Sequence, residues 1–412
     1  MWSYAAIDTV YLEHSAAGLE LPLGIIPFQL EGSAIPELTE KPHEIFIRDL
    51  SLSGRFKPVI SDKVDVSFLN SEGASFFIHG KYYQNATGEI VIECRMSATH
   101  NMDLVLGKVY TVNIKGYRKA IHDFSDRIVY QFNGEPGVAS TSLAFVTQTS
   151  KGKQIAVSDY DGYNPHVLTS DQNINTMPVW FPDNRNIAYV SFKSGAPGIY
   201  QMDIFTGKSK SIFSNMGHIF SPAISPDGSK IAFTTTKEGG SDIWVGNLKT
   251  AKAERLTYHW AVETSPEWSP NGREIVYSSD RTGNPQLYAM DELGGNNRRI
   301  TFMGSYNESA SWSPKGDRIA FCSMDKGLLN IYTATPQGKD ITQLTTAAGN
   351  NESPVWSPDG QLIAFSSTRS GASQIYIMRK DGSQVTQVTK NGSNTLPNWS
   401  FNNLTNYGAD YE

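Results

Sequence analysis

The chain has 412 residues, 39% of them hydrophobic and 18% charged. That is enough apolar material for two or three packed domains, and too little charge for a disordered chain. The net charge of -6 and the lack of a Lys/Arg stripe argue against nucleic acid as a main partner, and no run of about 20 apolar residues could cross a membrane as a helix.

In chain order, the start "MWSYAAIDTVYLEHSAAG" has no basic n-region and no continuous apolar core, so it does not read as a signal peptide. If the protein is exported, its signal lies outside this sequence. "LPLGIIPF" reads as a buried strand. "TEKPHEIFIRDLSLSGRF" reads as a helix capped by Thr39, with Pro42 in its first turn, Ile45, Phe46, Asp49 and Leu50 on one face, and Gly54 as its stop. "SFFIHGKYYQNATGEIVIECRMSAT" alternates and breaks at Asn85–Gly88, which predicts a hairpin. "KVYTVNI" is a further strand. "YRKAIHDFSDRIVYQFNG" places Ile121, Phe124, Ile128 and Phe132 on one helical face and ends at Gly134. Mixed strands and helices predict a small α/β domain over 1–135, with "NGEPGVAST" as the junction.

From there a repeat takes over. Trp180, Trp268, Trp312, Trp356 and Trp399 fall on one grid, with Ile224 in the remaining place; the steps are 44 residues, the last 43. The turn prolines Pro182, Pro226, Pro270, Pro314 and Pro358 keep the same period. Each unit holds four short apolar runs, and a turn such as "SPDG" separates the first two. Four strands at this period predict a propeller blade, with each Trp filling the wedge between neighbours. Residues 143–169 supply three strands without the "WSPDG" strand, and the C-terminal "LPNWSF" supplies only that strand. Together they make a sixth blade that closes the ring and removes free edges. The expected architecture is an α+β N-terminal domain followed by an all-β six-bladed β-propeller over 136–412, closed by a C-terminal strand.

The innermost strand of each blade starts at one mouth of the channel. The starting pairs are Asn175/Thr176, Ile219/Phe220, Glu263/Thr264, Asn307/Glu308, Asn351/Glu352 and Asn394/Thr395. Five of the six are polar, which predicts either a recognition ring or strand ends that hydrate a channel. In the second blade, "HIFSP" adds His218, Ile219 and Phe220, an apolar spot of the kind that interfaces use as anchors; His218 reads equally as a structural histidine. Loops after the second strand carry Lys193, Lys237, Arg281 and Arg369, with Lys326 one place off the grid. These are either solvated charges or groups that hold the ring, with Arg281 reaching Glu263 and Arg369 reaching Glu352.

No cofactor is expected. Glu263, Glu308 and Glu352 would offer oxygen ligands suited to calcium if they converge on the channel, but nothing like an EF-hand loop accompanies them. An alternative reading is a propeller-type hydrolase or lactonase with a channel metal. Against it, the propeller histidines His166, His218 and His259 form no repeated ligand set; against a serine hydrolase of the prolyl-oligopeptidase type, there is no G-x-S-x-G elbow. Cys94 and Cys322 are a single distant pair, whereas a disulfide framework needs several regularly spaced pairs, although one bond between them stays open; Cys322, in "IAFCS", reads as a small buried filler.

The α/β domain, the "IIPF" strand, "VSDYDGYNPHVLT" at Val157–Thr169 and the "SPDG" blades closed by a C-terminal "WS" strand together resemble the TolB family, over nearly the whole chain. The resemblance implies a periplasmic, non-enzymatic component of the Tol–Pal envelope system, which supports outer-membrane integrity and cell division. It also implies binding of the lipoprotein Pal at the propeller mouth, contact with TolA through the N-terminal segment, and use of the Pal-binding face by some colicins. On this resemblance His218, Ser221 and Thr264 match the Pal-binding mouth. Residues 1–20 match the family only loosely, and Met1–Ser3 need not belong to the mature protein.

Overall fold

The computed structural model describes residues 19–402 apart from 347. The chain forms two compact units, the first running to Ser140 and the second beginning at Thr141. The N-terminal segment to which the resemblance assigns contact with TolA lies, up to residue 18, outside the described residues.

The first unit is a mixed sheet with helices. Its elements are β1 (Leu21–Ile25), β2 (Gln29–Leu30), α1 (Pro42–Leu52), β3 (Phe56–Ile60), α2 (Val66–Ser71), β4 (Phe76–Gln84), β5 (Ile90–Ala98), β6 (Leu104–Val112) and α3 (Tyr117–Asn133). The sheet order is β3-β1-β4-β5-β6, with β2 beside β4. β1 runs parallel to β3 and β4, while β4, β5 and β6 alternate in direction as a meander. Period-2 side chains send Ile78, Ile92 and Met96 into a core with Ile45, Phe46 and Leu50 of α1 and Ile121, Phe124 and Ile128 of α3. Phe77 points to the other face, where it packs with Leu69 of α2 and Val59.

The sequence reading did not foresee β2, β3 or α2, and it placed the start of α1 differently. Helix α1 begins at Pro42, not after a Thr39 cap: Pro42 has no N–H to satisfy, and the carboxylate of Glu44 accepts from the Lys41 N–H at 2.8 Å. β3 was unforeseen because "FKPVI" contains Pro58; an edge strand tolerates a missing ladder donor. Gly54, with φ +67°, and Gly134, with φ +70°, stop α1 and α3 in the left-handed conformation that favours glycine.

The second unit is a six-bladed propeller of four-stranded antiparallel sheets. Blades 1 to 5 start at Asn175, Ile219, Glu263, Asn307 and Asn351. The sixth takes its innermost strand, Asn394–Trp399, from the C-terminal side and its other three from Ser142–Val167. Asn394 pairs with Thr147, and Trp399 with Leu143. Trp399 Nε1 donates to Thr141 Oγ1 at 2.7 Å, and the Ser142 N–H to Ser400 Oγ at 2.9 Å, so both ends of the ring are stitched at one seam. The grid tryptophans fill the wedges. Trp268 packs on Ala223, Ala232 and Ile243 of the preceding blade, and Trp356 on Ala320, Cys322 and Ile331. Both cysteines are buried and free. Cys322 also ties blades, its thiol donating to the Asn351 carbonyl at 3.0 Å.

Candidate functional site

Every innermost strand is broken at the same place. In the first blade Thr176 pairs with Val190 but Val179 with Ala188, so one extra residue bulges toward the channel; the other five blades shift at the equivalent step. The third residue of each strand takes up the bulge with positive φ: Met177, Ser221, Ser265, Ser309, Ser353 and Leu396, all between +51° and +54°. Left-handed backbone at a non-glycine costs of order 1 kcal/mol each and persists only where surrounding structure enforces it. A proline follows in five of the six (Pro178, Pro222, Pro266, Pro354 and Pro397), so there the bulge strands no N–H without a ladder partner. These residues line a channel cavity of about 380 Å3, together with Phe220, Thr264, Glu267 and Glu308.

The sequence reading gave both members of each starting pair to a ring. The structure divides them. Asn175, Glu263, Asn307, Asn351 and Asn394 are sealed from solvent, whereas Thr176, Thr264, Glu308, Glu352 and Thr395 are half-exposed. The sealed residues lock blades together. Asn307 Nδ2 donates to Gln286 Oε1 at 3.1 Å, Asn351 Nδ2 to Asn330 Oδ1 at 3.3 Å, and Asn394 Nδ2 to Gln374 Oε1 at 2.8 Å. The grid threonines complete each lock. Thr301, Thr345 and Thr389 donate to the same amide oxygens and accept a backbone N–H at 2.9 Å. Buried amides of this kind persist because their partners are buried with them. Asn307, Asn351, Asn394 and Glu263 therefore serve the ring's architecture and offer no surface to a partner.

The apolar exception in blade 2 has the same explanation. Where four other junctions place threonine, an amide and asparagine (the fifth has Thr257, Asp242 and Glu263), this one has Phe213 and Gly198, so Ile219 stands in the asparagine's place and packs with Phe213 in the core. Ile219 is buried and is not an exposed anchor. Phe220 next to it does reach the cavity, and His218 is exposed, with its N–H bonded to Thr236 Oγ1 at 2.9 Å.

Arg281 reaches Glu263 as expected, and also donates to Tyr277 Oη at 2.9 Å and, through Nε, to Ser279 Oγ at 3.0 Å. Burial opposes the guanidinium's charge, but Tyr277 and Glu263 outweigh it and raise its pKa. Arg369 repeats this geometry with a different partner. It donates to Asn351 Oδ1 at 2.9 Å and Ser367 Oγ at 3.0 Å, not to Glu352, because the sealed pair member lies nearer the guanidinium than the channel-facing one. Each arginine lies over the tyrosine of the next strand, Arg281 at 4.5 Å from Tyr288 and Arg369 at 4.8 Å from Tyr376.

Half-exposed Glu308 and Glu352 lie close enough to interact. Burial, then the charge of Glu308, raises the pKa of Glu352. Glu267, which the sequence reading missed, lines the cavity with no hydrogen bond or ion pair among the described residues, and loss of hydration pushes its carboxyl up to about 8. It occupies the strand's fifth position, where the other blades have Val179, Ala223, Ser311, Val355 and Asn398; that lone charge on the repeat grid was the available signal. The calcium expectation changes accordingly: Glu263 is held by Arg281 and sealed, so it cannot join Glu308 and Glu352 as a channel ligand.

A family model described as the TolB beta propeller domain matches residues 129–331 and 311–405. The Tol-Pal system protein TolB of Nitrosococcus oceani is 33% identical over 215 residues, covering 48% of this chain and 48% of that protein. Its namesake from Methylococcus capsulatus is 32% identical over 212 residues, 47% of each chain. The chain thus spans about half the length of the curated relatives it matches. The crystal structure of TolB from Acinetobacter baumannii has a TM-score of 0.81 at 26% identity, covering 93% of this chain and 97% of that one.

Proposed function

The chain belongs to the TolB β-propeller family, and from that premise we propose that it is a non-enzymatic periplasmic component of a Tol–Pal envelope system, supporting outer-membrane integrity and cell division. It binds the lipoprotein Pal at the channel mouth, contacts TolA through its N-terminal segment, and presents to colicins the face it presents to Pal. The observation that carries this reading is the cavity where six bulged strands converge. Its wall offers hydroxyls, half-exposed carboxylates and the Phe220 ring, all held by a backbone that adjacent blades enforce. A rigid, partly apolar rim with few charges suits a protein interface. His218, Phe220, Ser221, Thr264, Glu308, Glu352 and Thr395 are its contact residues.

The test is calorimetric titration of the chain with the purified soluble domain of Pal from the same genome. Thr264→Ala and the pair Glu308→Gln, Glu352→Gln should each weaken binding while leaving thermal unfolding unchanged. If Pal binds these variants as tightly as the parent, the channel mouth is not the binding face.

A further inference from the structure

Two blade junctions carry surface chemistry that the fold does not require. At the end of the fourth strand, a side chain donates to the carbonyl of the grid threonine two residues on. Arg255 does so at 2.7 Å, Arg299 at 2.5 Å, Gln343 at 2.9 Å and Gln387 at 2.7 Å. Glutamine therefore suffices at this place in two junctions; Arg255 is needed besides as the ion-pair partner of sealed Asp242, whereas Arg299 has no such duty. Where the residue is arginine, an aromatic ring follows and lies against the guanidinium, 4.7 Å away for Arg255–Tyr258 and 4.9 Å for Arg299–Phe302. The same place in the next two junctions is Thr346 and Lys390.

These rings are not core. Tyr258 is 75% exposed, Phe302 72% and Trp260 81%. Their two loops flank one hairpin loop of blade 3. The Val262 N–H donates to the Asp280 carboxylate at 2.8 Å on one side, and the Asn307 N–H to the Pro285 carbonyl at 2.9 Å on the other. The three rings thus share one sector of the face on which the innermost strands begin. Charges of both signs lie beside them: Glu238 and Asp280 are the acids of the neighbouring loops, and two of the cations stand outside any ion pair. Arg299 has no carboxylate partner among the described residues, and neither has exposed Lys237, which lies 4.6 Å from the Trp244 ring. Arg255 is held by Asp242 at 2.9 Å, which fixes the ring above it.

We propose that this sector is a docking surface for an acidic protein partner, whose apolar side chains pack on Trp260, Tyr258 and Phe302 while its carboxylates meet Arg299 and Lys237. The uncompensated cations beside the rings select the sign of the partner's charge. Aromatic and arginine side chains are the groups that dominate interface energies, and an exposed aromatic patch without a structural role marks such a site. The proposal rests on the mouth face being the binding face, and assigns that face an anchor outside the channel.

The repeat itself supplies substitutions that keep the fold. In a later junction Thr346 stands at the grid position of Tyr258 and Phe302, Ala348 at that of Trp260, and Gln343 at that of Arg299. Titration with the soluble domain of Pal should show Trp260→Ala and Arg299→Gln each weakening binding about 10-fold, with the Arg299→Gln loss vanishing at high salt. Unchanged affinity in both, with Thr264→Ala still weakened, overturns the docking surface and leaves the mouth reading intact. If Pal fails to bind the parent chain, the mouth reading falls, and the sector is then judged on a copolymer of glutamate and tyrosine against one of lysine and tyrosine. Preferential binding of the acidic copolymer, lost in the triple variant Tyr258→Thr, Trp260→Ala, Phe302→Thr, supports the sector; equal binding by parent and variant overturns it.

Discussion

Replacing Glu267 by Gln tests the electrostatics of the channel directly. In the folded chain its carboxyl titrates at about 8 rather than 4.5, because the cavity removes hydration and provides no counter-charge. The sign follows from proton counting. Between pH 4.5 and 8 the unfolded chain has released this proton and the native chain holds it, so stability falls as pH rises through that window and is level beyond it. With one pKa unit equal to about 1.4 kcal/mol, the loss between about pH 5 and pH 7 is at most about 2.5 kcal/mol, and about 2 kcal/mol once water in the cavity is allowed for. Glutamine keeps the shape and cannot titrate.

The assay is urea unfolding at pH 5, 6, 7 and 8, followed by emission of the buried blade tryptophans so that the propeller's own transition is read. Parent and Glu267→Gln chains should have similar midpoints near pH 5. The variant should be more stable by about 2 kcal/mol at pH 7. A difference that stays constant from pH 5 to pH 8 would refute the reasoning, since only a titrating group gives it a slope.

Arg281→Ala leaves the sealed Glu263 carboxylate without its partner and should cost about 3 kcal/mol, most of it regained in the double variant with Glu263→Gln; additive losses in that cycle would contradict the pairing. Arg369→Ala removes donors to Asn351 and Ser367 and should lower stability by about 1 kcal/mol, while Pal affinity falls less than in Glu308→Gln, Glu352→Gln; an equal fall by calorimetry would place Arg369 in the binding face itself. Gly338 has φ +74°, and a Cβ there would lie 2.0 Å from the Ile300 carbonyl oxygen, so Gly338→Ala should cost roughly 2 kcal/mol or more. Gly371, at φ +98° with open space around it, is the control, and a thermal melt showing equal losses would show that the interblade contact is not the cause.

The blades were legible because a propeller imposes one period on everything it stacks: the Trp wedge, the Pro-Asp-Gly turn and the split sixth blade all recur at fixed spacing. The polar starts of the inner strands were equally periodic, and that regularity misled. Sequence shows that Asn307, Asn351 and Asn394 are polar, but not that Gln286, Asn330 and Gln374 meet them in the preceding blade. The clue was a second polar grid, in the third strands, in phase with the first. Ile219 read as an anchor for the same reason. Its compensation, Gly198 and Phe213, sits on another strand pair and acquires meaning only once the blades are stacked.

Local chemistry and period thus determined the strands, the turns, the wedge residues and the closure of the ring from the sequence alone, because each depends on neighbours at fixed offsets along the chain. Only the tertiary structure decided which member of each starting pair faces the channel. Adjacent residues on a strand point to opposite sides, and the bulge at Met177, Ser221, Ser265, Ser309, Ser353 and Leu396 shifts that alternation by one residue. A slip of one residue exchanges a sealed amide for an exposed carboxylate, and no count of polar residues reveals it.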